Sequence, residues 1–443
     1  MEALEAVLGK ISGIVWGPPL LVLLFGTHLF LTFRLRLIQR YIGRAIRLSL
    51  ERSREGEGDI SHFGALTTAL AATIGTGNIV GVATAVALGG PGAVLWMWLT
   101  GVFGIATKYS EALLAVKYRV TTRDGAMAGG PMYVLERGMN AKWLGVLFAV
   151  FTSIAAFGIG NLVQANAVAI NMHDTFGVPT WATGIVLTVL TALVILGGVK
   201  SIARVCQALV PFMAITYVLG CVIALAFNIT SIPDTIALIV SSAFTGQAAA
   251  GGFLGAGVLQ AMRYGVARGL FSNESGLGSA PIVAAAAQTK DPVRQALVSA
   301  TGTFWDTVVV CAMTGLVVVN SGLWQSGSDG AALTKAAFGQ VHVLGPAVLT
   351  LGLLTFVYST ILGWSYYGER AIEYLFGQGA VLPYRVLWVV SVMIGSVATL
   401  QAVWDFADIA NALMAIPNLV ALLALSSVIV AETRRYLWEP PRE

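Results

Sequence analysis

Charge is what this sequence has least of. Of its 443 residues, 26 are Lys or Arg and 22 are Asp or Glu, 11% in all, against roughly 25% in an ordinary soluble domain. A soluble chain of this length would form two or three domains with polar surfaces, and so few charges cannot coat them. The same shortage excludes a nucleic-acid binder, because a net charge of +4 is not spread along a basic groove. Cysteine is scarce too. Cys206, Cys221 and Cys311 lie in apolar runs without CxxC spacing or His neighbours, which argues against a disulfide framework or metal site and leaves packing. There is no HExxH, no GxSxG, no nucleotide loop and no convergent His/carboxylate set, so the common enzyme constellations are missing. Glu2 and Glu5 precede Lys10, the reverse of a signal peptide's basic start.

What is abundant is apolar: 57% of the residues are hydrophobic. A spanning helix needs about 20 mostly apolar residues, and runs of that kind recur along the chain. They lie near 11–33, 62–107, 143–171, 179–199, 206–228, 255–287, 295–321, 343–368, 384–400 and 407–431. The charge-free run 62–107 is too long for one helix and is divided by Gly89-Gly90-Pro91-Gly92 into a hairpin. The expectation is an all-α polytopic membrane protein of eleven transmembrane helices. Residues 233–252 are too polar for a span and read as an extracellular helix or lid. Residues 34–54, rich in Arg, read as a topology anchor, with an interfacial amphipathic helix as the other reading.

Basic residues test this layout through the positive-inside bias. With eleven spans, 22 of the 26 Lys and Arg residues fall on one side; Lys10 and Lys335 fall opposite, and Arg263 and Arg268 sit inside a span. The N-terminus is therefore expected outside and the C-terminus cytoplasmic.

Two spans are interrupted. The second reads Ala71-Ala72-Thr73-Ile74-Gly75-Thr76-Gly77-Asn78, poor helix material in mid-membrane. Opened backbone is tolerated there only where it faces protein or a polar cavity. The seventh reads Gly269-Leu270-Phe271-Ser272-Asn273-Glu274-Ser275-Gly276, with a carboxylate that costs a few kcal/mol unless paired or solvated. The breaks are five spans apart. Setting the first span aside leaves two inverted halves of five, and paired broken helices in inverted halves point to a secondary-transporter site. The division expected is an extra N-terminal helix and basic segment at 1–61, repeats at 62–228 and 255–432, a lid segment at 229–254, and a tail at 433–443. Free N–H groups at half-helix starts suit a carboxylate, and unwound carbonyls suit a hard cation.

At these residues the chain resembles a known family. Gly89-Gly90-Pro91-Gly92-Ala93-Val94-Leu95-Trp96-Met97-Trp98 and the stretch Ser272 to Ala287 resemble the alanine or glycine:cation symporters of prokaryotes, over roughly residues 10–432. The resemblance implies the leucine-transporter-type 5+5 inverted repeat with one extra N-terminal helix. It further implies sodium-coupled import of small neutral amino acids, alanine or glycine, across the prokaryotic inner membrane. By the same resemblance, backbone around Thr73, Gly75, Thr76, Gly77 and Asn78 meets substrate, with Gln164, Phe271, Ser272, Gly276 and Trp364 completing the pocket. The carbonyls of Ala71 and Ile74 and the hydroxyls of Ser359 and Thr360 are implied as the sodium site, an all-oxygen set suited to a small hard cation. Sodium is the only ion implied; no cofactor is expected, and the partners implied are the amino acid, sodium and membrane lipid, with no nucleic acid and the oligomeric state left open. Proton coupling through Glu274 or Asp306 is the closest alternative, and a passive channel the more distant one.

Other ionisable residues have plainer readings. Asp306 is expected to join an ion pair with Arg263 or Arg268, or a gate. Lys108 and Glu111 pair at i and i+3. Asp405 and Asp408 read as caps at the start of the last span, and His28 and His342 as packing residues.

Overall fold

A computed structural model describes residues 2–51, 56–123, 125–245, 254–327, 330–341, 344–398 and 401–439. The helices in chain order are α1 (Glu2–Val15), α2 (Pro18–Arg34), α3 (Ile42–Leu50), α4 (His62–Thr73), α5 (Val82–Gly89), α6 (Gly92–Lys117) and the single turn α7 (Pro131–Tyr133). They continue with α8 (Lys142–Phe157), α9 (Val163–Phe176), α10 (Thr180–Ile195), α11 (Gly198–Ala226), α12 (Ile232–Thr245), α13 (Leu254–Asn273) and α14 (Pro281–Ala284). The last seven are α15 (Pro292–Thr303), α16 (Ala312–Asn320), α17 (Gly330–Gly339), α18 (Leu344–Phe376), α19 (Val381–Val397), α20 (Gln401–Ala424) and α21 (Ser426–Thr433). Two short antiparallel strands, β1 (Val120–Thr121) and β2 (Met127–Ala128), form a hairpin after α6 that the apolar pattern does not announce.

Among the described residues, six helices are long and apolar enough to cross a membrane, or eight if two bent pairs each count as one. The other three expected spans fall on weaker material. α6 carries Lys108, Glu111 and Lys117; α10 has 16 residues; and α13 is followed only by the four-residue α14. The proposed hairpin is present, with α5 ending at Gly89 and α6 starting at Gly92. The first span is parted into α1 and α2 at Gly17-Pro18, where Pro cannot donate to the preceding turn. Residues 42–50 form an amphipathic helix with Ala45, Leu48 and Ser49 buried. The segment expected as a lid, 229–254, holds α12, and its residues 246–253 lie outside the described part.

Helix starts follow local chemistry. Ser61 accepts a hydrogen bond from Gly64 N at the start of α4, and Asp291 accepts from Val293 N ahead of Pro292 in α15. α6 lies at the centre, packed against α13, α15 and α2, while α18 packs against α4, α8 and α11. Asp405 and Asp408 fall inside α20 and so do not cap it; the side chain of Asp405 is outside the described part, as is His342. All three cysteines are buried and free, as packing residues should be.

Candidate functional site

α4 stops at Thr73 because Ile74 turns to extended backbone (φ −77°, ψ 96°), and the chain resumes as a π-helical turn over Gly77–Gly81 before α5. The axis bends by 56° across this break. Asn78 closes it: its side-chain oxygen accepts from Gly75 N at 2.8 Å, and its amide donates to Asp306 at 2.6 Å. Asp306 also accepts from Ser272 (2.9 Å) and Thr307 (2.6 Å). The expected ion pair to Arg263 or Arg268 is replaced by this hydrogen-bonded set, because α13 turns Ser272 rather than either arginine toward Asp306.

The second break follows α13. Glu274 (φ +55°), Gly276 (φ +93°) and Gly278 (φ +86°) all take left-handed backbone, which glycine adopts at little cost. Glu111 of α6 caps this loop, accepting from Gly276 N and Gly278 N at 3.0 Å each and from the Asn418 amide at 2.7 Å. Glu111 thus serves the break rather than pairing with Lys108, whose Nζ is buried without a hydrogen-bond partner among the described residues. The spacing of i and i+3 suggested the wrong partner, since Gly276 lies 165 positions away. Glu274 itself accepts from Ser279 across the same loop.

Between the two breaks lies a cavity of about 10 Å³, lined by Ala72, Thr73, Gly75, Thr76, Gly77, Ile159, Gln164, Phe271, Glu274, Thr360 and Trp364. Space of that size holds about one water molecule. Of the implied substrate residues, the fold brings Thr73, Gly75, Thr76, Gly77, Gln164, Phe271 and Trp364 to this wall. Asn78 and Ser272 stand behind it, turned to Asp306. Gly276 is elsewhere: its N–H faces Glu111, and a Cβ there would lie 2.8 Å from Leu24.

Trp364 is 1% exposed and so is packed inside the bundle. It fits because Gly160 opposite has no side chain; a Cβ there would sit 2.3 Å from that of Trp364. Gln164 donates to Ile159 O (3.0 Å) and Thr76 Oγ1 (3.3 Å), leaving its buried Oε1 unpartnered among the described residues.

At the cavity's edge four oxygens converge. Ser359 Oγ is 3.2 Å from Ala71 O, and Thr360 Oγ1 is 3.3 Å from Ile74 O. Both hydroxyls also lie within hydrogen-bonding distance of Phe356 O, at 2.8 and 2.9 Å. A hydroxyl has one hydrogen. With it donated back along α18, lone pairs of Ser359 and Thr360 face two carbonyl oxygens, an arrangement a hard cation stabilises.

An all-helical membrane bundle with two opened helices meeting at a closed chamber belongs to the leucine-transporter type of fold. The crystal structure of MhsT in complex with L-phenylalanine matches it with a TM-score of 0.61, covering 85% of this chain and 92% of that one at 16% identity. The chain belongs to the sodium:alanine symporter family, whose model matches residues 1–442. It is similar to an uncharacterized transporter of Haemophilus influenzae (54% identical, 98% of this chain and 96% of the relative). It is also similar to the sodium/alanine symporter AgcS of Methanococcus maripaludis (51% identical, 97% of each). It is therefore a multi-pass amino-acid:cation symporter and not an enzyme.

Proposed function

We propose that this chain imports small neutral amino acids, alanine or glycine, coupled to sodium by alternating access. The convergence of Ala71 O, Ile74 O, Ser359 Oγ and Thr360 Oγ1 carries the reading. Sodium between them joins the opened end of α4 to α18 and holds the break in its binding shape. The chamber walls then divide the substrate's poles. N–H groups past the break take the carboxylate, Gln164 Oε1 accepts from the ammonium, and Trp364 and Phe271 bound the side-chain end of a chamber that must widen from its present one-water volume to admit the substrate. With eleven spans, in two inverted halves after an extra first helix, the excess of Lys and Arg on one side supports an N-terminus outside.

One sodium crossing about 100 mV contributes about 2.3 kcal/mol, and a tenfold gradient adds about 1.4 kcal/mol. Together they sustain an alanine gradient of roughly 500-fold, so one ion suffices. The test is labelled L-alanine uptake into proteoliposomes with sodium, potassium and proton gradients imposed separately. Accumulation above equilibrium only with inward sodium is expected. Accumulation driven by protons alone would transfer the coupling to Glu274 or Asp306, and equilibration under every gradient would make the protein a facilitator.

A further inference from the structure

Beyond the chamber, at the end of α6, Arg119 makes a set of contacts that the site does not use. Its guanidinium donates to four backbone carbonyls: Ala287 (2.9 Å) and Ala285 (3.2 Å) through one nitrogen, Glu57 (2.9 Å) and Thr289 (3.2 Å) through the other. Residues 285–289 continue the chain past α14, and residues 57–60 lead into α4. These are the flanks of both broken helices, on the same side of the chamber.

The two flanks also hold each other. Asp59 N and Ile60 N donate to Ala286 O (2.8 and 3.2 Å), Gln288 N to Ile60 O (2.7 Å) and Thr289 N to Glu57 O (3.2 Å). They approach so closely that a Cβ on Gly56 or Gly58 would lie 2.4 Å from backbone carbon of Thr289 or Ala287. Asp59 adds the β1–β2 hairpin by accepting from Met127 N at 2.9 Å.

α14 has a single turn, too short to hold its place by itself, and the carbonyls beyond it need partners that no helix supplies. Only a planar fork reaches four carbonyls from one position; an ammonium has three donors and no fork. We infer that Arg119 is a positioning residue that fastens the inner halves of both broken helices to α6, so that they move as one body during transport. The inference rests on the alternating-access reading. Its opposite is a gate, in which the two flanks must part in each cycle.

A disulfide between Glu57→Cys and Thr289→Cys separates the two, because these residues are bridged directly and Arg119 hydrogen-bonds to their backbone carbonyls; the unoxidised Cys pair is the reference for the lost Glu57 charge. With Arg119 present, oxidation of the pair is expected to leave sodium-driven alanine accumulation unchanged. Arg119→Gln removes at least two of the four donated hydrogen bonds and is expected to lower accumulation at least tenfold and to slow formation of the disulfide on a gel. Oxidising the pair in the Arg119→Gln protein should restore accumulation per folded protein reconstituted; a merely destabilising substitution lowers the amount of folded protein, which a disulfide also raises, but not that ratio. Arg119→Lys serves if the Gln variant does not fold. Transport abolished by the disulfide would establish a gate, and undiminished accumulation or unchanged crosslinking in the Arg119 variants would remove its role. Disulfide yield is read without transport, so a protein that moves no alanine would overturn the transport reading while leaving the fastening testable.

Discussion

The two interrupted helices solve one problem in different ways. At the first break the chain opens for about three residues and its own Asn78 caps Gly75, with Asp306 orienting the amide from across the bundle. At the second break the chain leaves helical geometry for longer, and a carboxylate from α6, Glu111, takes two backbone N–H groups directly. Inside a membrane each unpaired group costs several kcal/mol. A short opening is served by a neighbouring amide; a long one needs a charged acceptor from another helix. On the proposed reading the first break remains free to face an ion and a substrate, whereas the second is held in place by Glu111.

If that contrast is right, Glu111→Ala has the largest effect. It strands the N–H groups of Gly276 and Gly278 and one of the two Asn418 amide hydrogens, the other still donating to Gly276 O, lowering stability by about 3 kcal/mol, visible as a lower unfolding temperature in detergent. Glu111→Gln, which keeps an acceptor, should recover part of it. Asn78→Ala should cost less, about 2 kcal/mol, since it exposes one backbone N–H and loosens one buried carboxylate. Equal losses in the two variants would end the distinction between the breaks.

Thr360→Ala tests the first break's freedom to bind. Removing one of four oxygens should raise the sodium concentration for half-maximal alanine uptake roughly tenfold, with little change in folding of the sodium-free protein. An unchanged sodium dependence would move the ion elsewhere. Glu274→Gln should do least: it keeps an oxygen for Ser279, and uptake should stay sodium-dependent. Loss of coupling there would make the second break the working one.

Much of the chamber was legible in the residue order. Gly75-Thr76-Gly77-Asn78 announces an opening because glycines and a capping amide in an apolar run have no good helical use, and Gly89-Gly90-Pro91-Gly92 announces a hairpin. Ser359-Thr360, Gln164 and Trp364 came from resemblance, and the fold sets Thr360, Gln164 and Trp364 on the chamber wall with Ser359 beside them. Glu111 stood out as a charge in an apolar helix, yet its nearest ionisable neighbour, Lys108, suggested a partner it does not have. The bend of 58° between α20 and α21 gave no signal, and neither did the fork of Arg119, whose partners lie far along the chain.

The sequence by itself determined the class and where helices fail, because both follow from local quantities: apolar length, charge, glycine and proline. Only the tertiary structure decided which distant group completes each failure. Asp306 lies 228 positions from Asn78, Asn418 lies 307 from Glu111, and Ala287 lies 168 from Arg119. Hydrogen bonds are made at about 3 Å in space, and nothing in a local pattern of residues fixes which far segments come that close.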